Sequence, residues 1–506
     1  MKLSHITDDI SDCTDIGKPV VTGGTDPDIL SVHYDSRSVR PGGLFVAVKG
    51  LESDGHRYIA DAVKRGASAI VAEQIPELDA PGLVTVKVSD SRKALALIGA
   101  AFYGHPSTKL HLIGVTGTNG KTSTTYLIES IFEKAGLKTG VIGTINFRYN
   151  GNVFPNPMTT PESLDLQRIL YDMERAGISH VLMEVSSHAV DLHRILGLSF
   201  DTAVFTNLSQ DHLDYHKTMD EYWACKKRLF TEYLQPPLSH KKTSAVINIK
   251  NTEGIELKSL VSVPILTTGN GTADIRLDNA SLDIRGISGT LTSPMGSIAV
   301  TSSGIGQHNL ENILSAAGAA LSAGVTLDAV ARGIVDFNVP GRLERVANTR
   351  GFHVFVDYAH TPDGLLNVLR TLRPLTQGRM ITVFGCGGDR DKGKRPKMGK
   401  IAEQFSDLAI VTSDNPRTED PDTIIGHILE GMEKNRISLE RLSRSSQGLA
   451  VVPDRRSAIA LAIKYAEAND TVLIAGKGHE TYQILRTGTI DFDDRIEARK
   501  ALENHE

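Results

Sequence analysis

The stretch Gly114–Thr124, GVTGTNGKTST, has the residue types of a phosphate-holding loop. Gly117 and Gly120 let the backbone turn tightly, Lys121 can reach β- and γ-phosphates, and the Thr122 hydroxyl suits Mg2+. The flanking elements are those such a loop needs. HLIGV, residues 111–115, is apolar and β-prone and reads as a buried strand. After the loop, Leu127, Ile128, Ile131, Phe132 and Ala135 fall on one helical face, and Gly136 suits the helix stop. Strand, loop and helix N-terminus together aim backbone N–H groups and a helix dipole at an anion. The spacing departs from G-x-x-x-x-G-K-[ST], because position 115 is Val and the nearest glycines are Gly114 and Gly117. These residues leave open whether the phosphate serves a switch, a motor, a dehydrogenase cofactor or an ATP-driven synthesis.

Other chemistry-bearing residues also follow strand-like segments. VLMEVSSHAVDLHR carries Glu184 near a strand end. A carboxylate beside a phosphate loop can take the Mg2+ that bridges phosphates, and it can equally cap a helix or pair with a cation. TNLSQDHLDYH crowds Asp211, His212, Asp214 and His216 after the strand TAVFTNL. Two His among two Asp suit a ligand or catalytic role, and also a polar loop with local hydrogen bonds. EYWACKKRLF reads as a helix with Lys226 and Lys227, and a lysine is by default a solvated surface charge.

The elements that must position these groups form three blocks. Residues 1–107 mix short strands (LFVAVKG, AIVAEQ, LVTVKV) with a helix around YIADAVKRGA, and GHPSTK, Gly104 to Lys109, reads as a linker. Residues 108–340 alternate strands and helices, which argues an α/β fold with a parallel sheet and crossover helices. Between 264 and 302 turn residues alternate with apolar ones, as in an antiparallel edge lobe. SAAGAALSAG is a tight-packing helix candidate, and VPGRLERV, from Val339, reads as a second junction. In residues 341–506 the strands of HVFVDYAHTP, MITVFGCGGDRDKGKR, LAIVTSDNPRTEDP and TVLIAGKGHE each end in a polar or glycine loop. Ligands of open α/β sheets bind outside such strand ends, so these loops point to a small-molecule crevice. GCGGDR is no dinucleotide fingerprint, because Arg390 stands where the third glycine belongs.

The chain has 506 residues, 40% apolar and 23% charged, which favours a soluble protein of about three domains. A net charge of −5 gives no electrostatic case for nucleic acid. MKLSHITDDI lacks the apolar run of a signal peptide, and no run of apolar residues is long enough for a membrane span. Cys13, Cys225 and Cys386 share no metal-ligand spacing, which fits a reducing cytoplasm.

Taken together, the motifs resemble the Mur ligase family. They are GTNGKTS (117–123), MEVSSH (183–188), DHLDYH (211–216), Lys226, HNLEN (308–312), GRLE (341–344), DYAHTP (357–362), GGDRDKGKRP (387–396), DNPR (414–417) and GKGHE (476–480). Their order is the family's and they span nearly the whole chain. The resemblance implies an N-terminal UDP-substrate domain, a central ATPase domain and a C-terminal Rossmann-like domain that receives an amino acid. It implies that ATP phosphorylates the D-Glu γ-carboxylate of UDP-N-acetylmuramoyl-L-alanyl-D-glutamate. The amine of meso-2,6-diaminopimelate then attacks the acyl phosphate, in peptidoglycan precursor synthesis. A carboxylate is a poor electrophile, and phosphorylation supplies a leaving group.

The resemblance also implies roles for particular residues. Gly117, Thr118, Asn119, Gly120, Lys121, Thr122 and Ser123 are the ATP loop. Asn309, Asn312, Arg342, Asp357 and His360 resemble further nucleotide contacts, with Asp357 at the ribose and His360 near the adenine. Thr122 and Glu184 resemble ligands of a first Mg2+, and His212 of a second. Lys226 falls where the family carries a carbamylated lysine, so Lys121, Lys226 and His212 are the expected catalytic set. Ser36, Thr159, Thr160, Ser186, Arg194 and Lys226 resemble contacts to the UDP-muramoyl substrate. Position 192 departs from the pattern: it is Leu where some relatives present Gln. Arg390, Asp414, Asn415, Pro416, Arg417, Gly476 and Glu480 resemble the amino-acid pocket, with Arg417 on the distal carboxylate of meso-diaminopimelate and Glu480 on an ammonium. Small molecules are the implied partners, a monomer is the plainest expectation, and closure is expected to hinge near Val339–Arg342. A folylpolyglutamate synthetase would share the loop and the chemistry but gives no reason for the N-terminal block or for DNPR. A phosphate-loop switch or transport ATPase would need no amino-acid pocket.

Overall fold

The computed structural model describes residues 1–11, 16–50, 53–234, 241–336, 338–433 and 447–504, the side chains of Asp9 and Asp214 excepted; Cys13 lies outside the described residues. Contacts divide the chain into two compact units. One comprises residues 1–278, 291–298 and 311–334, the other 279–290, 299–310 and 335–506.

The first unit holds two sheets. The smaller has the strand order Val20–Thr22, Val84–Lys87, Ala67–Ala72, Gly43–Val46, Ser31–His33. The larger has the order Ile265–Thr268, Ser244–Asn248, Thr202–Phe205, His111–Thr116, His180–Glu184, Thr139–Ile142, Phe147–Tyr149, Asn152–Phe154. Its first six strands run parallel, and the last two add an antiparallel edge. The central strands are nearly all buried, which is why they read as continuous apolar runs. Parallel register sets the chemistry: Glu184 pairs with Val115 and Phe205 with Thr116, so the loops after these strands open at one edge.

Two glycines in this unit serve packing. A Cβ at Gly114 would lie 2.7 Å from the Phe200 ring, and one at Gly318 would lie 2.7 Å from Val246. Gly114 therefore belongs to the strand core rather than to the phosphate cradle, which accounts for the unusual glycine spacing. Gly318 lets the small-residue helix Gln307–Ser322 pack closely, as its sequence suggested.

Three local expectations change. Gly104–Lys109 is no free linker: it contains a short 3-10 turn, Pro106–Thr108, with Pro106 and Ser107 buried. The Ser107 hydroxyl accepts the Ser199 N–H at 3.1 Å, and its carbonyl accepts the Lys241 ammonium at 2.7 Å. Gly, Pro and Ser mark a turn, but they do not say whether that turn is covered. Ala135 caps the helix Lys121–Lys134 and is exposed, because the helix ends one residue before its apolar stripe would. Residues 276–302 form a sheet of their own, Arg276–Asp283, Gly286–Ser293 and Gly296–Ser302, separate from the large one.

The second unit is built on a six-stranded sheet, ordered Glu344–Val346, His353–Asp357, Thr471–Ala475, Met380–Phe384, Leu408–Val411, Gly448–Val451. The first pair is antiparallel and the rest are parallel. A wholly buried ion pair fixes two of its strand ends. Arg455 binds Asp494 at 2.7 Å, and its guanidinium also reaches the carbonyls of Ala475 at 3.0 Å and Ser413 at 3.4 Å. The loops beginning at Asp414 and Gly476 thus start from anchored peptides. The mixed α/β class read from the sequence is the observed one.

Candidate active site

The phosphate loop closes over a narrow backbone geometry. Gly117 has φ +149° and Gly120 has φ +84°, both costly for side-chain-bearing residues. A Cβ at Gly117 would lie 1.9 Å from Thr206 Oγ1, and one at Gly120 would lie 2.3 Å from Asn312 Oδ1. The loop is pinned to the segment after the strand Thr202–Phe205. Thr118 N–H donates to the Asn207 carbonyl at 2.9 Å, Asn119 N–H to Asn207 Oδ1 at 3.0 Å, and Thr206 Oγ1 to the Asn119 carbonyl at 2.7 Å. Thr118 and Ser123 are themselves buried.

Two lysines meet at one carbonyl. Lys121 donates to Gly117 O at 2.8 Å and to Thr118 O at 2.9 Å, while Lys226 donates to Gly117 O at 2.9 Å. The surface reading of Lys226 is wrong: it is 1% exposed and its ammonium lies 4.5 Å from the Tyr222 ring centroid. Its neighbour Lys227 points outward and pairs with Glu256. Burial, with the Lys121 charge nearby, holds the Lys226 amine well below its ordinary value. Among the described residues no carboxylate forms an ion pair with Lys226.

Beside the loop lies a set of oxygen donors. Thr122 Oγ1 donates to Glu184 Oε2 at 3.0 Å, and Thr144 gives Glu184 its N–H at 2.9 Å and its hydroxyl at 2.8 Å. Glu184 is buried without a cationic partner among the described residues. A hard, all-oxygen, anionic set of this kind fits Mg2+. Thr144 was not anticipated; its only signal is the Gly143–Thr144 turn after the strand Thr139–Ile142. Among the described residues there is no group of three His, Cys, Asp or Glu that could hold a metal.

His212 stands in the left-handed region at φ +54° and is part exposed, 3.6 Å from Asp211. Its ring centroid lies 5.0 Å from that of His188 and 5.9 Å from that of Tyr222, whose face also carries Lys226. His188, which the sequence did not single out, therefore joins His212, Tyr215 and His216. His216 is buried against the Ser187 hydroxyl at 2.8 Å, and burial lowers its pKa. Cys225 donates to the Ser187 carbonyl, and burial pushes its thiol up to about 11 and that of Cys386 to about 12, which argues against thiolate chemistry.

The expected substrate contacts of the central block come together. Thr160 Oγ1 donates to the Glu184 carbonyl at 2.8 Å and accepts the Ser186 N–H at 3.2 Å. Arg194 donates to the Thr160 carbonyl at 3.1 Å, and Thr159 Oγ1 lies 3.1 Å from Thr144 Oγ1. Glu162 holds Arg194 and Arg92 at 3.7 and 3.3 Å. Leu192 ends the helix Ser187–Asp191. Ser36 is buried apart from these, with its hydroxyl on Asp61 at 3.2 Å.

In the second unit, Asp357 is buried and takes the N–H groups of Leu343 and Ala359 at 2.7 and 2.8 Å. Burial raises its pKa against the pull of Arg342 and these amides. The Arg342 guanidinium lies 5.0 Å from the Tyr358 ring centroid, with Nε buried and without a hydrogen bond. His360 Nδ1 lies 2.8 Å from the Tyr358 carbonyl, and burial lowers its pKa. Asn309 is buried on the part of the helix Gln307–Ser322 that belongs to this unit; Asn312, on the part that belongs to the first unit, is buried against the phosphate loop of that unit.

The DNPR and GKGHE loops interlock. Arg417 sits at φ +55° and donates to the Gly388 carbonyl at 2.8 Å, and a Cβ at Gly388 would lie 1.9 Å from the Pro416 carbonyl. Arg390 lies in the facing loop, exposed, on the Asp389 carbonyl. Asn415 Nδ2 donates to Glu480 Oε2 at 2.9 Å, and Gly476 turns at φ +123° beside Asp414. Lys477, another unanticipated residue, binds Glu480 at 3.0 Å.

A glycine loop suited to phosphates, beside an oxygen set suited to Mg2+, is the geometry of a phosphate-loop nucleotide site. The comparisons narrow this. Residues 28–103, 115–320 and 341–478 match the profiles described as Mur ligase family, catalytic domain; Mur ligase middle domain; and Mur ligase, glutamate ligase domain. The chain is 48% identical over 485 residues to the UDP-N-acetylmuramoyl-L-alanyl-D-glutamate--2,6-diaminopimelate ligase of Geobacter metallireducens, covering 94% of each. A solved structure of a UDP-N-acetylmuramoyl-L-alanyl-D-glutamate--2,6-diaminopimelate ligase aligns with TM-score 0.69 at 33% identity, covering 94% of this chain and 95% of that one. The MurF ligase of Thermotoga maritima in complex with ADP aligns with TM-score 0.61 at 20% identity, over 94% of this chain and 97% of that one, a likeness of fold alone. The chain belongs to the Mur ligase family and is an ATP-dependent ligase. Among the described residues, no helix is long and apolar enough to cross a membrane.

The site makes a prediction. Gly117→Ala places a methyl where Thr206 Oγ1 stands and strains the peptide that both lysines hold. Strain of about 1–3 kcal/mol is expected, together with near-complete loss of ADP formation. Gly136→Ala, with a positive φ but open space around its Cβ, should keep wild-type turnover. Comparable ADP release from the Gly117 and Gly136 variants in a steady-state assay would contradict this geometry.

Proposed function

We propose that the chain joins meso-2,6-diaminopimelate to the γ-carboxylate of D-glutamate in UDP-N-acetylmuramoyl-L-alanyl-D-glutamate, as a step of cytoplasmic peptidoglycan precursor synthesis. The observation that carries this reading is the 48% identity, over 94% of both chains, with a relative of that name. In this reading residues 1–107 hold the UDP end, 108–340 the ATP, and 341–506 the amino acid.

The loop N–H groups of residues 117–123 and the Lys121 charge bind the β- and γ-phosphates. Thr122 and Glu184 would hold one Mg2+, with Thr144 orienting the carboxylate, and His212 and Lys226 a second. Bound Mg2+ neutralises charge on the transferring phosphoryl group. Thr159, Thr160, Ser186 and Arg194 orient the acid substrate, and Ser36 its uracil end. A γ-carboxylate oxygen attacks the γ-phosphorus, ADP leaves, and an acyl phosphate forms. The neutral amine attacks its carbonyl carbon, the amine proton is lost, and phosphate departs to leave an amide. Within the second unit Asn309, Arg342, Asp357 and His360 would contact the nucleoside, and within the first Asn312 lies against the phosphate loop.

Lys226 is proposed to be carbamylated. A buried amine that shares one carbonyl with a second ammonium favours its neutral form, the form that adds carbon dioxide. A carbamate replaces that cation with a carboxylate-like anion suited to metal. Carbon-13 bicarbonate should give a protein carbamate signal in NMR that Lys226→Ala abolishes; a signal unchanged by the substitution would overturn the assignment.

The substrate is tested by an amino-acid panel with UDP-muramoyl dipeptide and ATP. Arg417, held beside Gly387 and Gly388, offers a planar fork for the distal carboxylate that L-lysine lacks. The wild type should prefer meso-diaminopimelate strongly. Arg417→Ala should remove roughly 2–5 kcal/mol of that discrimination, the range for losing one partner of a buried charge pair. Equal use of L-lysine by the wild type would sink the reading.

A further inference from the structure

Lys477 is a wholly buried cation inside the pocket proposed for the amino acid. Its ammonium donates to Asn415 Oδ1 and Glu480 Oε2, each at 3.0 Å, and stands 3.6 Å from Asp414 Oδ1. The network is closed. Asn415 Oδ1 also accepts the Ile484 N–H at 3.0 Å, and Asn415 Nδ2 donates to Glu480 Oε2 at 2.9 Å. Two donors on Oδ1 fix which way the amide faces. Asp414 Oδ1, buried, has no hydrogen-bond donor. The nearby Arg455 is neutralised by its own buried partner, Asp494.

The charge at this end of the pocket follows. Asp414 and Glu480 bring two carboxylates and Lys477 one ammonium, so one net negative charge remains. One negative charge matches one incoming ammonium. Arg417 and Arg390, both beside Gly387, offer positive charge to a carboxylate. Without Lys477 the carboxylates would be uncompensated and the pocket would favour an end group that is cationic only.

We propose that Lys477 is a positioning and specificity-determining residue, a built-in counter-ion that holds Glu480 and Asn415 and sets the pocket to accept a zwitterionic end group rather than a bare ammonium. This rests on the amino-acid-ligase reading above.

The test is the ratio of kcat/KM for meso-diaminopimelate to that for L-lysine, with the KM for ATP as control. Lys477→Met should lower the ratio on the order of ten-fold or more, the effect of one unit charge a few ångströms away at a protein site's effective dielectric. Glu480→Gln shifts the balance the other way and should raise the ratio even if Lys477→Met does not fold. The double variant restores one net negative charge and should return the ratio toward wild type. A merely structural Lys477 would lower activity with both amino acids alike and leave the ratio fixed. An unchanged ratio in Lys477→Met, or an unchanged or lower one in Glu480→Gln, overturns the proposal. A wild type that ligates neither amino acid overturns the ligase reading itself, a result distinct from wild-type preference with unmoved variants.

Discussion

The peptide at Gly117 is the constraint on which the rest of the central site depends. Its φ of +149° turns the chain from the strand His111–Thr116 into the phosphate loop, and Thr206 leaves no space for a side chain. Its carbonyl is the common acceptor of Lys121 and Lys226. One peptide therefore fixes where two lysine nitrogens stand relative to the loop N–H groups. Groups held before the reaction need no rearrangement while charge moves, which is where preorganised electrostatics contributes most.

The parallel sheet makes that arrangement reproducible. Strand pairing puts Glu184 level with Val115, one residue short of the loop, and Thr122 then meets Glu184 at 3.0 Å from the first turn of the following helix. The neighbouring strand delivers Thr206 and Asn207 to the other side of the loop. Side chains far apart in sequence meet because parallel strands of different length end at nearly the same level. The second unit repeats the device, with Arg455 tying the ends after Leu408–Val411 and Thr471–Ala475 to a single buried charge pair. Removing Asp494 alone would leave Arg455 buried without its ion-pair partner, a strongly destabilising change.

The α/β class, the phosphate loop and the polar strand-end loops were legible because each is local: apolar runs, glycine spacing and turn residues lie within a few positions of one another. Glu184 was legible as a strand-end carboxylate but not as the partner of Thr144, since that contact comes from strand order. Lys226 read as a surface charge because residue type says nothing of burial, and only its place in a family pattern suggested otherwise. Lys477 escaped notice for the same reason, and with it the fact that Glu480 already has an internal cation. Gly114 was read within the strand HLIGV and lies there, but its contact with Phe200, the reason it must be glycine, was not legible. What the sequence hid was in each case a contact between distant segments.

The central claim is that this site makes a carboxylate electrophilic by phosphorylating it. The most direct measurement labels both oxygens of the D-glutamate γ-carboxylate with oxygen-18 and follows the label through one turnover with ATP and the amine. The account predicts that the released phosphate carries one labelled oxygen and that the amide carbonyl retains the other. Unlabelled phosphate from labelled substrate, at normal yield of amide, would contradict it.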